Sequence, residues 1–206
     1  WPFTANKSKK YIRKDVWSMW FKVIVACIPA VIVGLKWDDA IEEHFYNYKV
    51  VAIMLILIGV LFIVAENRNK HLKPITNSLD ELTFKQAFII GLFQLIAAVF
   101  PGTSRSGSTI LGALIIGVNR KTAAQFTFFM AIPVMFGASL LKLLKYGFNF
   151  GGNELVILLV GMIVAFIVSM FIIKLLMSYI KKHDFKVFGY YRIVLGAVVL
   201  LYFFFN

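Results

Sequence analysis

The sequence predicts an all-α integral membrane protein whose middle segment is a re-entrant helix-loop-helix. This prediction depends on the composition, on the grouping of apolar residues into long blocks, and on the charges between those blocks. Of the 206 residues, 60% are hydrophobic and 16% are charged, whereas soluble domains have about 45–50% apolar and roughly 25% charged residues. Too few polar residues are present to cover a soluble fold, and we therefore expect the apolar blocks to face lipid.

Five apolar blocks are candidates for transmembrane helices, because about 20 apolar residues cross the roughly 30 Å of hydrocarbon in a bilayer. They occupy residues 17–35, 50–65, 123–141, 155–180 and 187–205. The second block is short, and Tyr46 and Tyr48 are expected to mark its membrane interface.

A sixth apolar segment, residues 84–118, is interrupted by Pro101-Gly102 and by the polar run that follows. As one helix it would be about 50 Å long, whereas the pieces before and after the break would be about 25 Å and about 18 Å long. Neither piece crosses the bilayer comfortably alone. Two half-helices that enter and return on the same side fit these lengths.

The charged loops test whether this segment crosses or returns, because basic residues are enriched in the cytoplasmic loops of membrane proteins. The basic clusters lie at residues 7–14, 68–73, 120–121 and 181–186, and an acidic loop lies at residues 38–43. If the interrupted segment crosses once, the last two basic clusters fall outside. If it returns, all the basic clusters lie inside. The charges therefore favour the re-entrant arrangement, and they place the carboxyl terminus outside.

Arg105 is the most informative residue of the interruption. A charge near the bilayer centre costs at least about 2.5–3.5 kcal/mol on insertion scales, and such residues usually serve function. Irregular backbone at that depth is tolerated only where protein buries it or where it lines a cavity. Pro101 and Gly102 are expected to end the first half-helix, and Ser104 or Ser106 can cap the second one.

The second half-helix is expected to present its amino terminus to the break. Free backbone N–H groups of Gly107, Ser108 and Thr109 would attract an anion there, together with the helix dipole. Arg105 adds a planar set of donors that suits phosphate. Hydroxyl groups complete the expected phosphate site, from Ser104, Ser106 and Thr109. The alternative is an ordinary turn in water, whose small residues only allow helices to pack closely.

Residues near this motif offer little for catalysis. No carboxylate or histidine lies beside Arg105 in the sequence, and phosphate binding is therefore predicted more clearly than hydrolysis. Gln86 and Gln94 share roughly one helix face, and they either line the site or hydrogen-bond between helices. Glu66, at the end of the second block, is interpreted as reaching towards the interface. The net charge of +12 comes from the loop clusters and indicates membrane topology rather than nucleic-acid binding.

Two motifs of the interrupted segment are characteristic. Residues 86–94 read Gln-Ala-Phe-Ile-Ile-Gly-Leu-Phe-Gln, and residues 101–107 read Pro-Gly-Thr-Ser-Arg-Ser-Gly. Together they resemble the carboxyl-terminal signature of the bacterial undecaprenyl-pyrophosphate phosphatases, the bacitracin-resistance type. The similarity covers essentially the whole chain and continues through residues 131–138, Tyr191-Arg192, Ile28-Pro29-Ala30 and Ala65-Glu66.

The resemblance implies a multi-pass protein of the bacterial inner membrane, a single membrane domain built as an inverted-repeat bundle. Residues 1–83 would end the first repeat, and residues 84–206 would form the second, with its re-entrant hairpin at residues 84–118. The implied reaction hydrolyses undecaprenyl pyrophosphate to undecaprenyl phosphate and inorganic phosphate. This step recycles the lipid carrier for peptidoglycan synthesis and confers bacitracin resistance.

The resemblance also assigns roles within the loop. Arg105 and Ser104 would take part in catalysis. The pyrophosphate would be bound by a set that includes both of them, namely Gly102, Ser104, Arg105, Ser106, Gly107 and Thr109. The implied partners are the lipid pyrophosphate and membrane lipid, with no nucleic acid, and a homodimer is left open.

The sequence departs from the family pattern in its amino-terminal part. The family has an earlier motif, rich in Glu and followed by Ser-Ser-Thr-Gly-His, on a first re-entrant hairpin. That motif would supply the carboxylates, the nucleophile or base, and the ligands of a divalent metal, Mg²⁺ or Ca²⁺. It is absent here, so no metal ligands are expected in this chain. We expect the chain to lack that hairpin and the first span, and to be inactive alone.

Two other functions are compatible with the sequence. A lipid-phosphate transporter or flippase is one, because broken helices within inverted repeats are typical of transporters. A structural membrane subunit is the other. Phosphate release that depends on Arg105 would distinguish an enzyme from both.

Overall fold

The computed structural model describes residues 14–147, 151–180 and 182–205. Within these ranges the chain forms seven α-helices and no strand beyond one isolated bridge between Thr76 and Val118. The helices are α1 (Lys14–Phe45), α2 (Tyr48–Asn69), α3 (Phe84–Val99), α4 (Arg105–Ile115), α5 (Arg120–Tyr146), α6 (Gly152–Ile180) and α7 (Lys186–Phe205). The predicted all-α class is confirmed.

Five of these helices, α1, α2, α5, α6 and α7, are long and apolar enough to cross a membrane. They contain the five predicted blocks, and a multi-pass membrane protein is confirmed. Helix α1 extends beyond its block, because it continues through the acidic residues 38–43 after a bend at Trp37, where φ is −129° and ψ is 16°. Hydropathy could not show this extension, since it reports contact with lipid and not the end of a helix.

Side-chain caps set the starts of the helices around the hairpin. At α3, Thr83 Oγ1 accepts a hydrogen bond from Gln86 N at 3.1 Å, and Gln86 Oε1 accepts one from Thr83 N at 3.0 Å. This reciprocal pair is a capping box. At α5, Asn119 Oδ1 accepts from Thr122 N at 2.7 Å. Both caps satisfy backbone donors that the first helical turn leaves free.

The interrupted segment forms a helical hairpin. Helix α3 has 16 residues and α4 has 11, so at about 1.5 Å per residue they are about 24 Å and about 16 Å long. Both are shorter than the roughly 30 Å hydrocarbon core. The two helices pack so closely that a Cβ on Gly112 would lie 2.5 Å from the ring of Phe93. The lengths agree with two half-helices.

Helices α2 and α7 pack against each other in antiparallel directions. A Cβ on Gly59 would lie 2.7 Å from the Gly189 carbonyl oxygen, and a Cβ on Gly196 would lie 2.8 Å from the Ala52 carbonyl oxygen. Near the carboxyl end of α7, the Phe203 ring stacks on Tyr48 with centroids 4.1 Å apart. Small residues allow such close approach between membrane helices.

At one end of the bundle, a buried carboxylate joins the end of α2 to the start of α5 and to the loop before α7. The Glu66 side chain is 0% exposed, and it accepts hydrogen bonds at 3.0 Å from Arg120 Nε and from the backbone N–H of Phe185. The loop before α3 is attached at the same end, because Ile75 N donates to the Gly117 carbonyl oxygen at 2.8 Å. The helix ends and loops that meet here carry the basic residues at 68–73, 120–121 and 182–186, and we call this the basic end.

The contacts at the basic end test two interpretations of the sequence. Segment 84–118 begins and ends at the basic end, as the loop charges predicted. The interpretation of Glu66 as reaching towards the interface is wrong, because its carboxylate is buried in an ion pair with Arg120. The sequence could not show this, since the partner lies far along the chain. The division into repeats at residues 83 and 84 stays a prediction.

Helix α4 lies at the centre of the packing. Residues 107–114 are all buried. Ala113 belongs to a core cluster with residues of α1, α3 and α5, and Leu111 belongs to a second cluster with residues of α2 and α5. The start of α4, which carries Arg105, is therefore fixed by packing on several sides.

Candidate phosphate-binding site at the hairpin turn

The turn between α3 and α4 is compact and internally hydrogen-bonded. Thr103 is buried, and its hydroxyl donates to the Phe100 carbonyl oxygen at 2.7 Å. Gly102 has a φ of +85°, and a Cβ there would lie 2.5 Å from the Val51 carbonyl oxygen in the first turn of α2. Only glycine fits this conformation and this approach. The predicted break at Pro101-Gly102 is confirmed.

Ser104 caps α4. Its Oγ accepts a hydrogen bond from Gly107 N at 3.3 Å, and its carbonyl oxygen accepts one from Ser108 N at 2.9 Å. Ser104 has a φ of 60°, which is uncommon for a residue with a side chain. Ser104 was one of the two predicted caps, and this prediction is confirmed.

The cap changes which backbone donors can receive an anion. The expectation that the N–H groups of Gly107 and Ser108 are free is wrong, because Ser104 occupies both of them. The N–H groups of Arg105 and Ser106 precede the first helical bond and have no partner among the described residues. The available donors therefore lie nearer the turn than the sequence suggested.

Three consecutive side chains at the turn are exposed: Ser104, Arg105 and Ser106. The hydroxyls of Ser104 and Ser106 lie 3.4 Å apart. The Arg105 guanidinium forms no ion pair or side-chain hydrogen bond with any described residue. An exposed arginine without a carboxylate partner, flanked by two hydroxyls and two free N–H groups, has the donor chemistry that binds phosphate.

Arg192 brings a second guanidinium to the turn from α7. Its Nη1 donates to the Thr103 carbonyl oxygen at 2.9 Å. Its Nη2 lies 3.1 Å from the position that a Cβ on Gly107 would occupy. The contacts lie on both sides of Arg105 in the sequence. In the sequence, Arg192 appears only as part of the family resemblance, and its place at the site was not predicted. The available signal was an arginine within an otherwise apolar block, which is costly in a membrane.

Thr109 is placed differently from the exposed hydroxyls. It is 1% exposed, and its Oγ1 lies 3.1 Å from the carbonyl oxygens of both Arg105 and Ser106. Thr127 of α5 donates to the same Thr109 hydroxyl at 3.0 Å. In this arrangement Thr109 supports the first turn of α4 from inside. Direct phosphate binding by Thr109 stays a prediction.

The two glutamines lie in different environments. Gln86 belongs to the capping box at the start of α3, where its Nε2 also donates to Thr76 Oγ1 at 2.9 Å. It therefore lies about 20 Å along α3 from the turn and does not line it. Gln94 is 2% exposed, and its Nε2 has no partner among the described residues. Ser108 Oγ, on α4, is also buried without a partner, so polar groups inside the hairpin are left for water or substrate.

The described residues do not fit a divalent metal. They contain no group of three or more His, Cys, Asp or Glu side chains that could hold an ion. No carboxylate or imidazole occurs in residues 101–109. The turn offers cationic and neutral donors only, which suit an anion.

Comparison with known proteins identifies the family. The family model for bacitracin resistance protein BacA matches residues 2–198. This chain belongs to the BacA family. The match includes both arginines of the turn and all seven described helices, the last in part, so the geometry above is that of a family member.

Curated relatives are similar over nearly the whole chain. A protein of Desulfitobacterium hafniense named undecaprenyl-diphosphatase is 62% identical over 202 residues, which are 98% of this chain and 72% of that protein. Undecaprenyl-diphosphatase 1 of Clostridium acetobutylicum is 60% identical, with 98% and 73% covered. An Enterococcus faecalis undecaprenyl-diphosphatase is 60% identical over 196 residues, with 95% and 71% covered.

Proposed function

We propose that this BacA family member is a membrane phosphatase that hydrolyses undecaprenyl pyrophosphate to undecaprenyl phosphate and inorganic phosphate. The family membership and the names of relatives at 60–62% identity support this activity. The five membrane-spanning helices place the protein where a lipid substrate resides. The reaction supplies the monophosphate lipid carrier of cell-wall synthesis and accounts for the link of the family to bacitracin resistance.

The exposed guanidinium of Arg105, which has no ion-pair partner in the described part of the chain, carries the assignment of the site. We infer that Arg105 binds the pyrophosphate through its planar donors and stabilises the charge that develops on the phosphoryl oxygens during cleavage. Ser104 and Ser106 donate their hydroxyls to the same group, and the free N–H groups of Arg105 and Ser106 support it. These residues bind and orient phosphate, and none of them is a general base.

Arg192 acts in this scheme by fixing the shape of the turn. Its hydrogen bond to the Thr103 carbonyl oxygen holds the backbone before Arg105. Its second nitrogen, beside Gly107, adds positive charge at the amino terminus of α4. We infer that the two guanidinium groups together favour a pyrophosphate, with its several negative charges, over a neutral headgroup.

The position of the turn indicates the face from which the substrate is reached. Gly102 packs on Val51 at the start of α2, and the Phe100 ring lies 5.0 Å from the Phe45 ring at the end of α1. The α1–α2 connection is at the end opposite to Glu66 and the basic loops. Because basic loops face the cytoplasm, we infer that the pyrophosphate enters from the outer face.

Substitution of Arg105 tests the proposal in the native gene product purified in detergent. Arg105→Ala is expected to lower phosphate release from undecaprenyl pyrophosphate by about 100-fold or more, as removal of a transition-state donor does. Lys142→Ala, which removes an exposed charge from the far end of α5, is the matched control. The Arg105 side chain forms no hydrogen bond or ion pair with any described residue. The variant should therefore fold normally. Unchanged phosphate release would contradict the role of Arg105, and absent hydrolysis in the wild type would favour lipid transport instead.

Two finer points rest on the resemblance alone. We propose that activity depends on a divalent cation whose ligands lie outside the described residues, and we derive no step through it. Loss of phosphate release in EDTA, and its recovery with Mg²⁺ or Ca²⁺, measures that dependence. We also propose association into a homodimer, which sedimentation in detergent measures independently.

A further inference from the structure

A cavity lies at the basic end, away from the hairpin turn. It has a volume of about 770 Å³ and is bounded by the end of α2, the loop before α3 and the turn between α4 and α5. Helix α4 separates it from the turn at residues 101–104, because Leu114 and Ile115 at its carboxyl end line the cavity. This cavity therefore cannot be part of the pyrophosphate site.

Three basic side chains at this cavity are not neutralised. Arg68, Lys73 and Lys121 line it and are exposed. None of them forms an ion pair or a side-chain hydrogen bond with another described residue. A fourth cation, Arg120, is held by the buried Glu66 and thereby neutralised. The cavity thus carries an excess of positive charge.

One wall of the same cavity is apolar, and its exposure to water is unfavourable. Leu72 and Ile75 are 53% and 77% exposed, although they lie in a loop among basic residues. Ile116 and Ile180 extend this wall inwards. Exposed apolar side chains beside cations are typical of protein surfaces that contact the headgroup region of a bilayer.

Hydrogen bonds hold this cavity in shape. The Gly117 carbonyl oxygen accepts from Ile75 N at 2.8 Å, and the Thr76 carbonyl oxygen accepts from Asn119 N at 2.9 Å. Gly117 has a φ of +85°, and a Cβ there would lie 3.0 Å from Ile75 Cδ1. A side chain at position 117 would therefore displace Ile75. These contacts fix the position of Ile75 relative to the turn between α4 and α5.

We propose that this cavity binds the headgroup of an anionic phospholipid from the leaflet at the basic end. The cations would contact the phosphate, and Leu72 and Ile75 would contact the glycerol and the first methylene groups. A neutral lipid would leave the charges unpaired, and free phosphate would leave the apolar wall exposed. Basic pockets at the cytoplasmic side of membrane proteins bind such headgroups.

The test compares charge removal at the two ends of the bundle. The variant Arg68→Gln/Lys73→Gln/Lys121→Gln removes three charges at the cavity. The control Lys36→Gln/Lys142→Gln/Lys145→Gln removes three at the opposite end. Native mass spectrometry of the purified protein, in micelles with phosphatidylglycerol or phosphatidylcholine, measures retained lipid. We expect the affinity of the cavity variant for phosphatidylglycerol to fall on the order of 100-fold, or roughly fivefold for each charge removed. The affinity of the control variant should not change.

The single substitution Lys73→Glu, on an exposed loop, gives the same comparison with little risk to folding and should weaken phosphatidylglycerol binding by more than tenfold. Four results would each overturn the proposal. Equal losses in the cavity variant and the control would indicate a general charge effect. Retention by both would exclude the site. Displacement of phosphatidylglycerol by an equal concentration of inorganic phosphate, or retention of undecaprenyl phosphate alone, would assign the cavity to another ligand.

Discussion

Arg192 Nη1 donates to the Thr103 carbonyl oxygen at 2.9 Å and ties α7 to the turn between α3 and α4. The two residues lie far apart in the sequence. Their contact makes the last helix part of the support of Arg105, which lies two residues after Thr103.

Substitution of Arg192 should lower phosphate release even where the positive charge is kept, because the turn loses its hydrogen bond to α7. Arg192→Lys retains the positive charge but loses the planar fork that reaches both Thr103 and Gly107. We expect phosphate release to fall about tenfold in this variant, because a hydrogen bond from a charged group contributes about 1.5–3 kcal/mol. Steady-state kinetics in detergent measures the effect. Wild-type activity in Arg192→Lys would mean that charge alone is required.

Gly107→Ala should harm the site, whereas a matched glycine elsewhere should not. The added Cβ would lie 3.1 Å from Arg192 Nη2 and would require the guanidinium to shift by a few tenths of an ångström. The control is Gly137→Ala in α5, where no atom lies within 4 Å of the new Cβ. Replacing a helical glycine by alanine stabilises a helix by about 0.5–1 kcal/mol, so the control should unfold at a slightly higher temperature. Gly107→Ala should lower phosphate release severalfold, and equal activity in both variants would contradict the contact.

Thr127 should matter through Thr109. Thr127→Val removes the donor to the Thr109 hydroxyl, which supports the carbonyls of Arg105 and Ser106. We expect a loss of about 1 kcal/mol in stability and a severalfold fall in kcat with little change in KM. Thr127→Ser keeps the hydroxyl and should restore kcat. If Thr127→Val and Thr127→Ser have equal kcat, the role of Thr127 is limited to packing.

Breaking the buried ion pair should destabilise the basic end. Glu66→Gln leaves Arg120 without its carboxylate. Because the Arg120 side chain is 37% exposed and water partly solvates its charge, we expect a cost of about 1.5–3 kcal/mol, the contribution of a hydrogen bond to a charged group. The double variant Glu66→Gln/Arg120→Gln should be less destabilised than the sum of the single variants, because contacting residues are not additive. Thermal unfolding in detergent measures all three. Strict additivity would show that the two groups do not interact.

Ser104 has two separable roles, which its substitutions should distinguish. Both Ser104→Gly and Ser104→Ala remove the cap and the hydroxyl. Glycine adopts a φ of 60° without strain, whereas alanine retains a Cβ and therefore the strain. We expect Ser104→Ala to be less stable than Ser104→Gly, with both losing phosphate release. If Ser104→Gly keeps full activity, the hydroxyl does not contact the substrate.

Much of the fold could be predicted from the sequence because a bilayer imposes simple rules. Length and hydropathy predicted the five long helices, and the break at Pro101-Gly102 predicted the hairpin. Loop charges predicted that segment 84–118 returns to the end where it began. The cap at Ser104 was also predictable, since local hydrogen bonding decides it.

Contacts between distant residues could not be predicted in this way. The partner of Glu66 is Arg120, and Arg192 supports the turn that carries Arg105; both pairings depend on how helices pack. The sequence left the role of Gln86 open, because helical periodicity predicts a shared face but not which end of the helix meets the turn. The donors at Gly107 and Ser108 were misjudged because the cap itself uses them.

The sequence by itself determined the membrane class, the spans, the return of the hairpin and a cationic motif suited to phosphate. These depend on local composition and on the cost of placing charge and open backbone in hydrocarbon. The tertiary structure alone decided that Arg105 has no ion-pair partner among the described residues, that Arg192 reaches the same turn, and that the basic loops enclose a cavity. These depend on which side chains meet across helices, and close packing settles that only in three dimensions.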